Sequence, residues 1–218
     1  MIDCLLQFYQ EQDWLDFKYA ELDAVIELAG LSPRDLYNIS QLSNEEKNST
    51  YLRIKFPDEE SIRFVCGRCI LVKAIFEYWA SGNSLEELVS HIKSLPEPFL
   101  SHYYHSQLSW SIQLDTFFRA LTMDEKKTCR SKLNFMTFQG SVKLEKADTQ
   151  YYILMDFSTS RKVSTDQCIT EIVGVYCFFG RLLGLGGMRE ELNKYSLKRR
   201  LYLGPTTVIQ TSQTTYLL

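Results

Sequence analysis

The stretch Tyr51-Leu52-Arg53-Ile54-Lys55-Phe56-Pro57-Asp58-Glu59-Glu60-Ser61-Ile62-Arg63-Phe64-Val65-Cys66-Gly67-Arg68-Cys69-Ile70-Leu71-Val72-Lys73-Ala74-Ile75-Phe76 decides the fold. Its first six residues alternate, with Leu52, Ile54 and Phe56 on one face, which is the pattern of a half-buried strand; Pro57 closes it. Asp58 is placed to cap a helix whose apolar stripe is Ile62, Val65, Cys66 and Cys69. Ile70 to Phe76 then reads as a second, mainly apolar strand. A strand, a helix and a strand in so short a stretch point to an α/β (α+β) chain.

The same grammar extends in both directions. Upstream, Leu5 to Tyr9 is a short apolar strand. Leu22, Val25, Ile26 and Ala29 follow as a helical stripe that Gly30 ends. Downstream, Ser84 and Glu87 form a capping box ahead of Leu85, Leu88, Val89, Ile92 and Leu95. Pro96-Glu97-Pro98 reads as a boundary, because proline blocks helix continuation. Beyond it the texture turns to strands. Trp110, Ile112 and Leu114 alternate with polar neighbours, and Thr122 to Glu125 opens a polar helix. Val142 with Leu144, Tyr151 to Phe157, and Ile169 to Phe179 read as three more strands, the last one central because it is apolar on both faces.

Composition narrows the class. A hydrophobic fraction of 45% with thirteen each of Tyr and Phe is that of a globular protein rather than a disordered one. No apolar run is long enough to cross a bilayer, and Asp3 with no basic start argues against a secretory signal. The expected compartment is therefore intracellular and reducing, specifically cytoplasmic, with the six cysteines as thiols. The formal net charge of −3 gives no global attraction to nucleic acid, so any such binding must be local.

Four constellations could carry chemistry. Cys66-Gly67-Arg68-Cys69 has the spacing of a thiol redox or zinc pair, yet both cysteines fall on the apolar stripe and no second pair exists. Buried core thiols are favoured over a thiol or zinc protein. His91 sits beside the stripe of its helix as a surface residue, and His102 and His105 lie in a Tyr-rich segment read as a solvated loop. Gly184-Leu185-Gly186-Gly187 lacks the third glycine of a nucleotide fingerprint, because Arg189 stands there; it reads as a flexible turn. The segment from Arg181 to Gly204 holds Arg181, Arg189, Lys194, Lys198, Arg199 and Arg200 against Glu190 and Glu191. With Tyr195 and Tyr202 beside it, this run suits phosphate neutralisation with stacking, or equally a solvated charge run at a domain edge.

Several stretches together resemble one family. Leu15-Asp16-Phe17-Lys18-Tyr19-Ala20-Glu21-Leu22 is similar to its opening Asp-Phe-Arg-x-x-Glu-Leu, with Lys18 in place of Arg and Ala20 in place of a frequent Pro. Arg68-Cys69-Ile70-Leu71-Val72-Lys73-Ala74-Ile75-Phe76-Glu77-Tyr78-Trp79 is similar to its Arg-Ser-Ile-Leu-Val-Lys-Ser-Ile-x-Glu-Leu-Trp. Phe179-Gly180-Arg181, Arg189-Glu190 and Tyr195-Ser196-Leu197-Lys198-Arg199-Arg200, then Tyr202-Leu203-Gly204-Pro205-Thr206-Thr207, match its interdomain signature. The family is the eukaryotic and archaeal tRNA guanosine-10 N2-methyltransferases, and the resemblance covers residues 1 to 207.

The resemblance implies a ferredoxin-like N-terminal part (1–95), a THUMP RNA-binding module (96–185), a basic interdomain linker (186–207) and a divergent tail (208–218) expected to be disordered. It implies tRNA as partner, with Arg181, Arg189, Lys194, Lys198, Arg199 and Arg200 as phosphate contacts and Arg68 and Lys73 as further candidates. The family's methyl donor is S-adenosylmethionine, and a small zinc-binding activator subunit docks on its catalytic domain. Neither is expected on this chain. An Asp/Asn-Pro-Pro-Tyr/Phe loop is needed to grip the amine, and prolines 33, 57, 96, 98 and 205 are never adjacent. The expectation is a chain truncated before the catalytic domain, binding tRNA without catalysis. The alternative is a non-catalytic regulatory or interaction isoform with no tRNA function of its own.

Overall fold

A computed structural model describes residues 1–9, 17–157 and 175–187. The elements, in chain order, are β1 (Ile2–Phe8), α1 (Lys18–Leu28), α2 (Pro33–Leu36), α3 (Asn44–Asn48), β2 (Tyr51–Phe56), α4 (Glu59–Arg68) and β3 (Val72–Gly82). They continue with α5 (Leu85–Lys93), α6 (Glu97–Tyr104), β4 (Trp110–Phe117), α7 (Met123–Ser131), β5 (Thr149–Asp156) and β6 (Tyr176–Leu185). The strand order is β2-β1-β3-β6-β5-β4, with β6 inside the sheet. Of the central strand expected over 169–179, the part up to 174 lies outside the described residues, and β6 starts at Tyr176 and runs on to Leu185. The chain forms two compact units, Met1–Ile75 with the residues from Leu183 onward, and Phe76–Leu182. Strands β3 and β6 each contribute to both.

In the first unit β1 and β2 pair antiparallel, with Cys4 opposite Ile54 and Leu6 opposite Leu52. The alternation seen in sequence puts Leu52, Ile54 and Phe56 inside and leaves Arg53 and Lys55 exposed. Asp58 caps α4 by accepting from the Ser61 amide at 2.8 Å. Leu22, Ile26, Ile62, Val65, Cys66 and Cys69 complete the core. Helix α1 ends where Gly30 adopts φ +76°, a conformation that side chains resist.

In the second unit β4 pairs parallel with β5, and β5 antiparallel with β6, with Tyr151 opposite Arg181. Trp79, Leu88, Ile92, Tyr151, Ile153, Met155, Cys177 and Phe179 form its core. Thr122 and Glu125 make the reciprocal box that opens α7, whereas at α5 only half of the expected box forms: Ser84 accepts from the Glu87 amide, but the Glu87 carboxylate accepts from the Asn83 amide instead of that of Ser84.

Three expectations change. Val142 and Leu144 form no strand; Val142 makes one isolated bridge to Trp110, and the two side chains are 60% and 79% exposed. The segment holding His102 and His105 is α6 with its C-cap, not a loop. Pro96 and Pro98 start this helix, because the first-turn amides have no intrahelical partner to lose. The glycine run is no flexible turn. Gly184 lies within β6, where an added Cβ would stand 3.1 Å from that of Cys66, and the Gly186 amide donates to the Lys73 carbonyl at 2.8 Å. No helix among the described residues is long and apolar enough to cross a membrane.

Candidate nucleic-acid interface

Three of the eight basic candidates fall on described residues. Arg68 is the last residue of α4, exposed, with its guanidinium 5.8 Å from the Phe64 ring. Lys73 is half-buried on β3, so Arg68 and Lys73 bracket the turn between those elements in the first unit. Arg181 lies on β6 in the second unit. Arg189, Lys194, Lys198, Arg199 and Arg200 lie outside the described residues, as do Tyr195, Tyr202 and the tail.

Arg181 is held by a network anchored on Glu77. Its Nε donates to Glu77 Oε2 at 2.8 Å, and the Tyr103 hydroxyl donates to the same carboxylate at 2.8 Å. The Trp79 indole donates to Glu77 Oε2 at 3.3 Å. The guanidinium also sits 5.5 Å from the Tyr103 ring centroid, within cation–π range. Burial, and then the hydrogen bond to Glu77, push the Tyr103 hydroxyl well above the usual phenol range. The neighbouring Tyr151 is raised by burial as well. Tyr103 therefore stays a neutral donor that holds the carboxylate in place.

This network forms one wall of an open groove of about 650 Å³ in the second unit, lined among others by His102, Tyr103, His105, Leu108, Tyr151 and Arg181. His102 and His105 are both exposed, one helical turn apart on α6 and its C-cap. In the sequence two prolines hide this helix, and the histidines pass for loop residues. Their i, i+3 spacing is the one signal that marks them as neighbours. Glu77 gives none, since Tyr103 and Arg181, which it holds, are 26 and 104 residues away.

The family's opening motif is structural here. Lys18 is buried, donates to the Ser49 carbonyl at 2.8 Å and faces the Phe8 and Tyr19 rings at 5.1 and 4.9 Å. Burial pushes its ammonium down to about 8. Glu21 accepts from the Ile70 and Leu71 amides at 2.7 and 2.9 Å, tying the first motif to the second. Cys66 and Cys69 are buried in the core; burial pushes the Cys66 thiol up to about 12 and raises Cys69 further. That is the opposite of a reactive thiolate. Among the described residues no cluster of three His, Cys, Asp or Glu could hold a metal ion.

Comparisons with known proteins point one way. A family model described as the Tmrp11 THUMP N-terminal domain matches residues 2–187. The tRNA (guanine(10)-N(2))-methyltransferase TRMT11 of Mus musculus is 30% identical over 200 residues, spanning 90% of this chain and 40% of that protein. The Homo sapiens protein of the same name is 29% identical over 213 residues, spanning 95% and 42%. The chain thus spans about 40% of the length of these relatives. Among solved structures, TrmN from Thermus thermophilus is a distant likeness of fold, with TM-score 0.48 and 13% identity over 97% of this chain and 62% of that one. The α/β architecture and the family match bear out the expected class, a ferredoxin-like part with a THUMP module. On the match over residues 2–187, this chain belongs to the Tmrp11 THUMP N-terminal domain family.

Proposed function

We propose that this chain is the tRNA-binding portion of an S-adenosylmethionine-dependent tRNA (guanine-10 N2) methyltransferase, and that it binds tRNA without itself carrying methyl transfer. The observation that carries this reading is the family match over residues 2–187, with methyltransferase relatives that extend well beyond the matched region. Among the described residues the glycine-rich run does not fit a methyl-donor site. The glycine-rich run closes against the protein's own chain: a Cβ on Gly186 would lie 2.0 Å from the Val72 carbonyl oxygen. No adjacent prolines supply the amine-gripping loop.

In this reading a folded RNA module holds tRNA by shape and backbone and so places the target guanine elsewhere. Lys198, Arg199 and Arg200, with Arg189 and Lys194, supply the phosphate contacts, and Arg68 and Lys73 add to them; Arg181, expected among them, is instead engaged by Glu77. The donor and the zinc-binding activator subunit belong to the longer enzyme, and the setting is cytoplasmic. Replacing Lys198, Arg199 and Arg200 by Ala tests the assignment by fluorescence anisotropy with labelled tRNA. Affinity should fall alike for every tRNA sequence, and the salt slope should drop by roughly one for each phosphate that is no longer neutralised. Unchanged binding in the triple variant would remove the linker from the interface.

A further inference from the structure

The groove of the second unit is unlike a phosphate site in three respects. Its guanidinium, Arg181, is already engaged by the Glu77 carboxylate at 2.8 Å. Its floor lies at the C-terminal end of α6, where helix carbonyls carry partial negative charge and disfavour an anion. Ser101 on the same helix donates to the Glu97 carboxylate at 2.8 Å, which brings a further negative group to that side.

What the groove does offer is flat rings at fixed angles with directed donors. The Tyr103 ring is set by its hydroxyl on both Glu77 oxygens and by Trp79 and Phe99, with ring centroids at 4.7 and 5.2 Å. His102 stands nearly perpendicular to it, at 85° and 5.0 Å, so the two rings form a corner. A planar group laid on one ring meets the edge of the other, the arrangement that aromatic quadrupoles favour. His105 is held in orientation as well: its Nδ1 lies 2.9 Å from the Gln139 side-chain amide, which is itself bonded to the Gln107 amide at 3.1 Å. An imidazole edge of this kind can hydrogen-bond the edge of a planar heterocycle. Leu108, 56% exposed, gives the rim an apolar surface.

We infer that this groove seats one unpaired nucleobase of the bound RNA, stacked on the exposed His102 ring beside Tyr103, with the base edge at the His105 imidazole. The inference rests on the tRNA reading above, and it assigns the groove to a base rather than to the backbone. Glu77 is then a positioning residue, which sets Tyr103 and Arg181 without touching the base.

The test is anisotropy of the whole chain with labelled unfractionated tRNA across a salt series, comparing the wild type with the His102→Ala/His105→Ala double variant. Both side chains are exposed, so the variant keeps its fold, and the intrinsic fluorescence of Trp14, Trp79 and Trp110 together checks that it does. Loss of a stacked base should lower affinity about tenfold or more, with the salt slope unchanged. Equal affinity in variant and wild type overturns the base site and leaves tRNA binding standing. A weaker affinity accompanied by a slope reduced by about one or two overturns it in favour of phosphate binding. A wild-type chain that binds no tRNA overturns the tRNA reading, and this inference with it.

Discussion

At the residue scale, what resembles the family's sequence motifs proves to be packing machinery. Glu21 takes two backbone amides with its two carboxylate oxygens, a task for which glutamine has one acceptor too few. Glu21→Gln should therefore destabilise the fold by about 1–3 kcal/mol in urea unfolding, because one buried amide is left without a partner. Lys18 gives a pH signature. Its ammonium titrates at about 8 in the fold against 10.5 for an ordinary lysine, so the unfolded chain binds more protons between those values. Stability attributable to Lys18 must then rise with pH across that window, the charged form being the one that burial penalises. The unfolding midpoint of the wild type should gain on that of Lys18→Met between about pH 8 and about pH 10. A gap that narrows would show that burial does not control this lysine. The opening motif is legible as a family sign, but its partners, Ser49 and the Ile70–Leu71 amides, lie far along the chain and no local pattern marks them.

At the element scale, signals of short range are the readable ones. The alternation of 51–56, the Asp58 cap, the Thr122–Glu125 box and the Gly30 stop each become the expected feature, since each depends only on neighbours in the chain. Thr122→Ala should cost α7 its box and lower stability by about 1 kcal/mol in the same unfolding assay. The Val142–Leu144 alternation fails because a strand needs a partner surface, and Leu144 remains 79% exposed. The glycines of β6 and its end show the converse, a tertiary requirement that reads in sequence as looseness. Gly186→Ala would drive a Cβ to 2.0 Å from the Val72 carbonyl oxygen, whereas the same change at Gly187 meets nothing within 4 Å. We expect the first to destabilise by about 1–3 kcal/mol or more and the second to be nearly silent. Equal effects would mean that Gly186 does not set the approach of β6 to β3.

At the scale of the whole molecule, function is legible through family resemblance more than through charge. The net charge of −3 gives no hint of an RNA partner. Of the basic positions singled out, Arg68, Lys73 and Arg181 are placed by the structure, and Arg181 serves the Glu77 network. The groove with His102 and His105 cannot be read from sequence, because it is assembled from residues on α6, the loop after it, β5 and β6. The central claim is that the chain as it stands grips tRNA through the phosphate backbone. The most direct measurement is the equilibrium affinity of the wild-type chain for unfractionated tRNA over a salt series. The account predicts saturable binding whose log affinity falls linearly with log salt, with a slope of several units in magnitude. An absence of saturable binding at low salt, or an affinity indifferent to salt, would contradict it.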